Sequence, residues 1–381
     1  MQLLKLVREQ IQLGEPLPWG VRDAHAKLLL ARGHVIHDEN LMTALLTRGV
    51  FVDVEEVEAR RAEALAAQAA SKAPAFVPKQ TLFTQWSALL AQLDGVLRNA
   101  TDAAQWPGEL AALARLAMTL TRRDPDIAIY LAVRQDPTRL KGYGVLHSLH
   151  CAMVGCLVAT RLGWDEARTL TLLEAALTMN MACLDLQGVL ASQDGPPTEK
   201  QRALIRLHPS LAVDMLRERG VMDAEWLRTV AEHHERPDGS GYPSGLKATD
   251  ELASALRHVD VFMAKMAPRA NRAALAVQVA ARQLFQDDGG GPVSMAIIKE
   301  FGIYPPGDLV QLKSGEVAVV VRRGASASTP MAACLTDRHG KPHVFAPVRD
   351  TRQAEFAISA TVADKSLVLR VLPERLYGLA Q

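Results

Sequence analysis

From Thr81 to about Leu284, apolar residues recur every three or four positions in one segment after another. This spacing places apolar side chains on one face of an α-helix, whereas a half-buried strand alternates every second residue. The clearest helical segments are Trp86–Leu97, Leu110–Thr121, Ile127–Arg134, His147–Leu162 and Glu166–Thr178. The pattern predicts that residues 81–304 form one all-α domain.

The segment before this domain predicts a small unit of mixed structure. We expect a short helix at Met1–Gln12, two short strands on either side of Gly33, and a helical turn or two within Asp38–Thr47. Residues 1–53 are therefore assigned to a small N-terminal α/β module. Residues 54–80 are rich in Glu, Ala and Arg and then contain two prolines, which indicates a connecting helix followed by a linker.

After the helical domain the periodicity changes to that of strands. Leu309–Leu312 and Glu316–Val321 flank the turn Lys313-Ser314-Gly315, a pattern typical of a β-hairpin. Short strand-like segments continue to the end, so residues 305–381 are predicted to form a small β appendage. The expected fold class is therefore mainly α, with a helical core domain between two small units that contain strands.

The composition limits the partners and the compartment. The 381 residues are 49% hydrophobic and 22% charged, which is typical of globular domains. With 43 basic and 42 acidic residues the net charge is +1, so we expect neither nucleic acid nor a membrane surface as a partner. The four cysteines show no CxxC spacing, and neither a secretory signal nor an apolar run long enough to span a bilayer is apparent. The cytoplasm is the expected compartment.

One stretch combines metal-binding side chains with a tight turn. His233, His234 and Glu235 precede the run Asp238-Gly239-Ser240-Gly241-Tyr242-Pro243. Imidazoles are common ligands of transition metals, and glycines allow backbone conformations and close approaches that other residues do not. The stretch therefore predicts a site.

This stretch resembles the second signature of the HD-GYP phosphohydrolases, bacterial enzymes that open cyclic di-GMP at a cluster of metal ions. The passage YPPGDLVQLKSGEVAVV, residues 304–320, resembles the sequence that follows the catalytic core in this family, and LLLARGHVI, residues 28–36, loosely resembles an N-terminal module found in some members. The resemblance implies an HD-type helical bundle as the core and cyclic di-GMP as the ligand. It also implies a loop beside the ligand through which a signalling protein could dock.

The family's metal ligands can be assigned to this chain in part. The matching positions are His147, His208, His233, His234 and Asp260. Metal ions in such sites clamp phosphate oxygens and lower the pKa of a bound water, and a bridging carboxylate usually holds two of them together.

Four other functional positions of the family differ here. Met179 and Asn180 replace the His-Asp pair, Cys183 replaces a lysine, and Tyr143 replaces a glutamate. Asparagine has no negative charge with which to bridge two cations, and methionine is a soft ligand that hydrolytic sites for hard metals do not use. We therefore expect no di- or trinuclear centre.

Two interpretations of the remaining histidines stay open. His208, His233 and His234 could hold one divalent transition metal, Zn, Fe or Mn. Alternatively, no metal is bound, and these imidazoles form hydrogen bonds with one another, with Asp260 and with Glu235. The catalytic residues are unknown, with Asp260 and Glu235 as the remnant candidates.

The candidate ligand-binding residues come from two segments. Gly239, Gly241, Tyr242 and Pro243 belong to the loop, where the glycines would allow a phosphate or guanine to approach and the tyrosine offers a face for stacking. Lys265 and Arg269 follow Asp260 and could meet phosphates. The alternatives are that Gly and Pro only shape the loop and that the cations form a solvated helix end.

These observations favour a degenerate HD-GYP protein in bacterial cyclic di-GMP signalling, a binding or interaction module with weak or no phosphodiesterase activity. The alternative is an active phosphodiesterase or phosphohydrolase with a residual mononuclear metal site. A third interpretation is a signalling scaffold whose terminal units make the contacts and whose helical domain binds no ligand. The oligomeric state, including a homodimer, stays open.

Overall fold

The computed structural model describes residues 3–6, 11, 13–59, 81–99, 103–136, 138, 140–363 and 371–379. The chain divides into two compact units, Met1–Lys79 and Gln80–Gln381. Most of the predicted linker, residues 60–80, lies outside the described residues, and the predicted boundaries after residues 53, 80 and 304 stay predictions.

Within its described residues, the first unit contains a small sheet and the helix Glu39–Arg48. Its elements are β1 (Leu3–Lys5), β2 (Val21–Arg22), β3 (Leu28–Leu30), α1 (Glu39–Arg48) and β4 (Phe51–Asp53), with the strand order β1-β4-β2-β3. The short helix predicted at Met1–Gln12 is wrong for Leu3–Lys5, which pairs antiparallel with Phe51–Asp53. The strand pairing satisfies backbone groups that a short isolated helix would leave to solvent, and it brings Leu6 into a core with Val52.

The second unit contains the predicted helical domain, and four of the five periodic segments lie in helices that begin earlier than predicted, whereas Glu166–Thr178 has the predicted bounds. They are α2 (Leu82–Arg98), α3 (Trp106–Arg123), α4 (Pro125–Val133), α5 (Tyr143–Leu162), α6 (Glu166–Thr178), α7 (Leu184–Ser192), α8 (Glu199–Glu218), α9 (Ala224–Glu232), α10 (Glu251–Met266), α11 (Val277–Asp288) and α12 (Pro292–Phe301).

Helix α5 is the centre of this bundle. It is buried along nearly its whole length and packs against α3, α4, α6, α7, α10 and α12. Several neighbours start at well-defined caps: Asp165, Asp223 and Asp250 accept hydrogen bonds from the first turns of α6, α9 and α10, and Thr198 forms a capping box with Gln201 at α8. These caps fix where each helix enters the bundle.

Two apolar stretches, Leu140–Leu162 and Glu166–Ser192, are long and apolar enough to cross a membrane by length and composition alone. The expectation that the sequence contains no such run is therefore wrong on that criterion. In the fold, 78% and 72% of their most apolar windows are buried among other helices. The apolar character of both stretches is that of core helices in this bundle.

The β appendage is a five-stranded antiparallel sheet that shares the core of the helical domain. Its strands are β5 (Leu309–Leu312), β6 (Val317–Arg322), β7 (Met331–Cys334), β8 (Val348–Asp350) and β9 (Ile358–Thr361), in the order β8-β7-β6-β5-β9, and a short helix α13 (Pro373–Leu376) follows. The predicted hairpin is confirmed, with Leu309 opposite Val319. One face of the sheet, including Leu309, Val319 and Val321, belongs to the same buried cluster as the helices. The fold class is thus confirmed: mainly α, with two small units that contain strands.

Candidate functional site

A cavity of about 230 Å³ lies where α5, α7, α8 and α10 meet the turns that follow α6 and α9. It is lined by Tyr143, His147, Asn180, Cys183, Leu186, Gln187, Leu190, Ile205, His208, His234, Tyr242, Asp260, Ala264 and Arg269. Of the candidate site residues selected from the sequence, the cavity is therefore lined by His147, His208, His234, Tyr242, Asp260 and Arg269.

The histidine cluster, defined as His208, His233 and His234, forms one side of the site. One ligand atom from each ring lies within 4.8 Å of the others. The Nδ1 atoms of His208 and His233 bond the carbonyl oxygens of Ile205 and Val230 at 2.6 and 2.7 Å. With Nδ1 as the donor in both rings, the Nε2 lone pairs face each other across 3.2 Å. An outer hydrogen bond to a carbonyl is the usual way to orient a metal-ligating histidine.

The protonation of this cluster suits a metal ligand. Burial, followed by the charge of His233, lowers the pKa of His208 to about 3. Burial also lowers the pKa of His233, and burial together with the charge of His233 lowers the pKa of His234 well below its usual value. Neutral imidazoles bind transition metals, and two nitrogens bound tetrahedrally to one zinc ion lie about 3.4 Å apart. The cluster fits one transition-metal ion.

His147 is in a different state from the histidine cluster. Its Nε2 lies 2.7 Å from Asp260 Oδ1, and its Nδ1 lies 3.2 Å from the hydroxyl of Tyr143, so both ring nitrogens already have partners. Cys151 lies 3.6 Å from the same Nε2. The tyrosine that replaces the family's glutamate thus makes a hydrogen bond to this ring.

Asp260 connects the two groups of histidines. Its Oδ1 is bonded to His147, and its Oδ2 lies 4.0 Å from His234 Nδ1. Burial opposes ionisation of this carboxyl, but the hydrogen bond from His147 and the charges of the histidines outweigh it, and the pKa is lowered. The structure therefore places the five predicted metal-ligating residues in two groups, the histidine cluster and the pair His147 and Asp260, which approach each other between His234 and Asp260.

Two of the substituted positions, Asn180 and Cys183, form an uncharged wall of the cavity. Met179 is fully buried in the hydrophobic core and does not line the cavity. Asn180 lines it at 1% exposure, with its Oδ1 accepting from Cys183 Sγ at 3.7 Å. Burial raises the pKa of Cys183 to about 12, so this thiol is neutral. This wall offers no carboxylate to bridge a second cation.

Glu235 holds the Gly-Tyr-Pro loop, residues 238–246, rather than facing the cavity. It is 2% exposed, and its two oxygens accept the backbone N–H groups of Ser244 and Leu246 at 2.7 and 2.9 Å. Because both oxygens are bound to backbone, the structure places this remnant catalytic candidate in a structural role.

The glycines of this loop fit the chain itself. A Cβ on Gly241 would lie 2.5 Å from the backbone N of Arg236 and from the Cα of Glu235, so the close approach predicted here is to protein and not to ligand. Gly239 has φ +78°, a conformation that favours glycine. Of the other two loop candidates, Tyr242 lines the cavity and stacks on His234 at 4.5 Å, whereas Pro243, which follows a cis peptide bond, does not line it.

Gly241→Ala is expected to lower the free energy of unfolding by about 1–3 kcal/mol, because the added methyl must displace backbone. Chemical denaturation with parallel probes would measure this. Gly195→Ala is the matched control, since nothing lies within 4 Å of the position of its added Cβ. Equal stability of the two variants would contradict the close packing of the loop.

The two predicted cations are placed differently. Lys265 bonds Gln283 Oε1 at 3.0 Å and Asp287 Oδ2 at 3.2 Å, away from the cavity. Five residues separate it from Asp260 on α10, which corresponds to roughly 140° around the helix axis, so the two side chains leave the helix in different directions. Arg269 lines the cavity, with its guanidinium carbon 5.8 Å from the centre of the Tyr143 ring.

Sequence reasoning missed one polar residue of the wall. Gln187, on α7, lines the cavity, and its side-chain oxygen lies against Gly144, where a Cβ would be 3.1 Å away. A single glutamine on a short helix gives no signal by itself.

The comparisons with known proteins concern the helical domain that contains this site. A family model described as an HD domain matches residues 138–289, which contain α5 to α11 and the whole histidine cluster. A cyclic di-GMP phosphodiesterase of Pseudomonas aeruginosa, PA4108, is 27% identical over 218 residues, which are 56% of this chain and 52% of that protein. The chain carries an HD-GYP family domain.

Two further relatives and one solved structure are similar to this chain. The cyclic di-GMP phosphodiesterase response regulator RpfG of Xanthomonas campestris is 25% identical over 67% of this chain and 62% of its own length. The 3'3'-cGAMP-specific phosphodiesterase 3 of Vibrio cholerae is 28% identical over 36% of this chain and 30% of its own. A structure described as Bd1817, a HDG"Y"P protein from Bdellovibrio bacteriovorus, covers 78% of this chain and 99% of its own at 15% identity and a TM-score of 0.47. The chain spans about half the length of the Pseudomonas aeruginosa relative.

Proposed function

We propose that this HD-GYP domain binds cyclic di-GMP as a signalling module and hydrolyses it weakly or not at all. The observation that carries the proposal is the neutral wall at Asn180, which lines the cavity where the family resemblance implies a bridging aspartate. The relatives named as phosphodiesterases of cyclic di-GMP and 3'3'-cGAMP support a cyclic dinucleotide as the ligand.

The missing negative charge at Asn180 explains why the domain would still bind the ligand but not hydrolyse it. Asp260 is the one carboxylate among the described residues that line the cavity, and it already bonds His147. Loss of a catalytic charge costs several kcal/mol of transition-state stabilisation, on the order of a thousand-fold in rate. The apolar and polar contacts that bind a ligand do not depend on that charge.

The histidine cluster supports a second candidate function, a phosphodiesterase with one metal. A divalent cation held by His208, His233 and His234 would polarise a phosphate oxygen and make a bound water more acidic. In such an enzyme the Asp260 carboxylate would accept a proton at Oδ2, on its side nearest His234. The facing Nε2 atoms at 3.2 Å are the observation that favours it.

Turnover of cyclic di-GMP separates the two candidates. The purified protein, supplied with Mn²⁺ or Fe²⁺, is expected to bind cyclic di-GMP in calorimetry and to leave it intact when the products pGpG and GMP are followed by chromatography. Robust turnover that disappears in His233→Ala and in His234→Ala would overturn the binding module in favour of the enzyme. A flat titration would instead favour the scaffold in which this domain binds no ligand.

The compartment and the protein partner belong to the same proposal. A cyclic dinucleotide module acts where the nucleotide is made, which supports a cytoplasmic location. The loop presents Ser244 and Leu246 at the surface while Glu235 holds their backbone, so it offers a rigid surface to a signalling protein.

A further inference from the structure

Three residues that line the cavity each carry a buried polar atom that lacks a hydrogen-bond partner within the described residues. These atoms are Nδ2 of Asn180, Oε1 of Gln187 and Nε of Arg269. Asn180 is 1% exposed. Buried polar groups are nearly always satisfied by protein, water or a ligand, so three such atoms around one space indicate a polar occupant.

The size of the cavity limits that occupant to part of a cyclic dinucleotide. Cavities that enclose a whole drug-sized ligand measure roughly 300–1,000 Å³, and this one measures about 230 Å³. One flat base, or one phosphate with its nearest atoms, can enter it. The remainder of the ligand must stay outside.

The walls favour a base over a phosphate. Leu186, Leu190, Ile205 and Ala264 contribute apolar surface, which suits the faces of a flat ring and does not suit an anion. Arg269 is the single Lys or Arg side chain among the described residues that line the cavity, and the Asp260 carboxyl lines the same space. A neutral group with a polar edge matches this balance better than a negatively charged phosphodiester does.

The donors and acceptors distinguish between the bases. A guanidinium only donates hydrogen bonds, and arginine pairs with the O6 and N7 acceptors of guanine. The Asn180 amide can donate to O6, and Gln187 Oε1 can accept from the N–H groups on the opposite side of the ring. Adenine presents its N6 amino group where guanine has O6, so it would place a donor against the Arg269 guanidinium, which has no acceptor, whereas amide side chains can pair with either base.

We infer that the cavity left by the lost metal ligands receives a guanine base of the cyclic dinucleotide, with Asn180, Gln187 and Arg269 contacting its polar edge. This inference rests on the proposed cyclic dinucleotide binding and adds which part of the ligand enters and which residues select it.

Calorimetry with cyclic di-GMP and cyclic di-AMP, on chelator-treated protein, tests the inference. We expect cyclic di-GMP to bind roughly ten-fold or more tightly than cyclic di-AMP, which is the size of discrimination that one good base-edge contact provides. Asn180→Leu and Gln187→Met are each expected to reduce this preference several-fold. Both replace an amide that contains a buried atom without a partner by an apolar side chain of similar size, so unfolding temperatures should stay near wild type.

A control variant outside the cavity shows whether the change in base preference is specific to the cavity. Gln135→Met removes an amide that bonds Ala132 O and does not line the cavity, so its affinities should equal those of the wild type. Equal binding of the two dinucleotides, unchanged in Asn180→Leu and Gln187→Met, would overturn guanine selection and leave dinucleotide binding intact. Absence of binding by both dinucleotides would overturn dinucleotide binding and guanine selection together.

Discussion

Purified without chelator, the protein is expected to contain about one equivalent of a divalent transition metal, and His208→Gln and His233→Gln are each expected to lose it. The two Nε2 atoms face each other at 3.2 Å, while the Nδ1 atoms are occupied by carbonyl oxygens. Loss of an outer partner of a ligand costs about 10- to 100-fold in metal affinity, so loss of a direct ligand should cost at least about 100-fold. Elemental analysis and competition with a metal indicator would measure both effects.

A control for this experiment exists within the same bundle. His150 lies on α5 at 4% exposure, close to the 2% exposure of His208, and is absent from the groups of potential ligands among the described residues. His150→Gln should therefore retain the metal. A wild-type protein that stays free of transition metal after incubation with Zn²⁺, Mn²⁺ and Fe²⁺ would show that the histidines only bond one another.

Asn180→Asp is expected to raise the hydrolysis of cyclic di-GMP by about 100-fold or more and to increase the bound metal towards two equivalents. The change adds one negative charge to the cavity wall without adding volume, and a single preorganised charge or dipole is typically worth 10²- to 10³-fold in rate. A carboxylate at this position can bridge two cations, which the amide cannot. Product analysis with Mn²⁺ or Fe²⁺, together with metal stoichiometry, would measure the gain.

Asn99→Asp makes the same change at an exposed helix end and should alter neither the rate of hydrolysis nor the amount of bound metal. If Asn180→Asp is as inactive as the wild type and still binds a single metal, the neutral wall at Asn180 is not what prevents hydrolysis. Met179 would then be the next position to consider, although a histidine there would replace a side chain that belongs to the hydrophobic core.

Much of the fold follows from local sequence. The helical periodicity predicted α5 and α6, and the alternation around Lys313-Ser314-Gly315 predicted the hairpin, because both patterns reflect contacts between residues near each other in the chain. The wrong prediction of a helix at Leu3–Lys5 arises because a distant segment determines the structure there. That strand exists because it pairs with Phe51–Asp53, and three residues carry no periodic signal of such a distant partner.

The site could be predicted only where side chains keep a recognisable spacing. The histidine pair at 233 and 234 gave such a signal, whereas Gln187 reaches the cavity through packing of α7 against Gly144, which no local pattern encodes. Lys265 and Arg269 were equivalent candidates in the sequence. On α10, however, the Lys265 side chain points away from the cavity, whereas Arg269 lies after the end of the helix, where the chain returns to the cavity.

The contact between Glu235 and the loop couples the position of the loop to metal binding by the histidine cluster. Glu235 follows His234 directly and binds the backbone of Ser244 and Leu246, so the loop is tied to the end of α9 that carries the histidine pair. A partner that displaced the loop and these histidines together would weaken metal binding, and the metal would weaken that partner by the same factor.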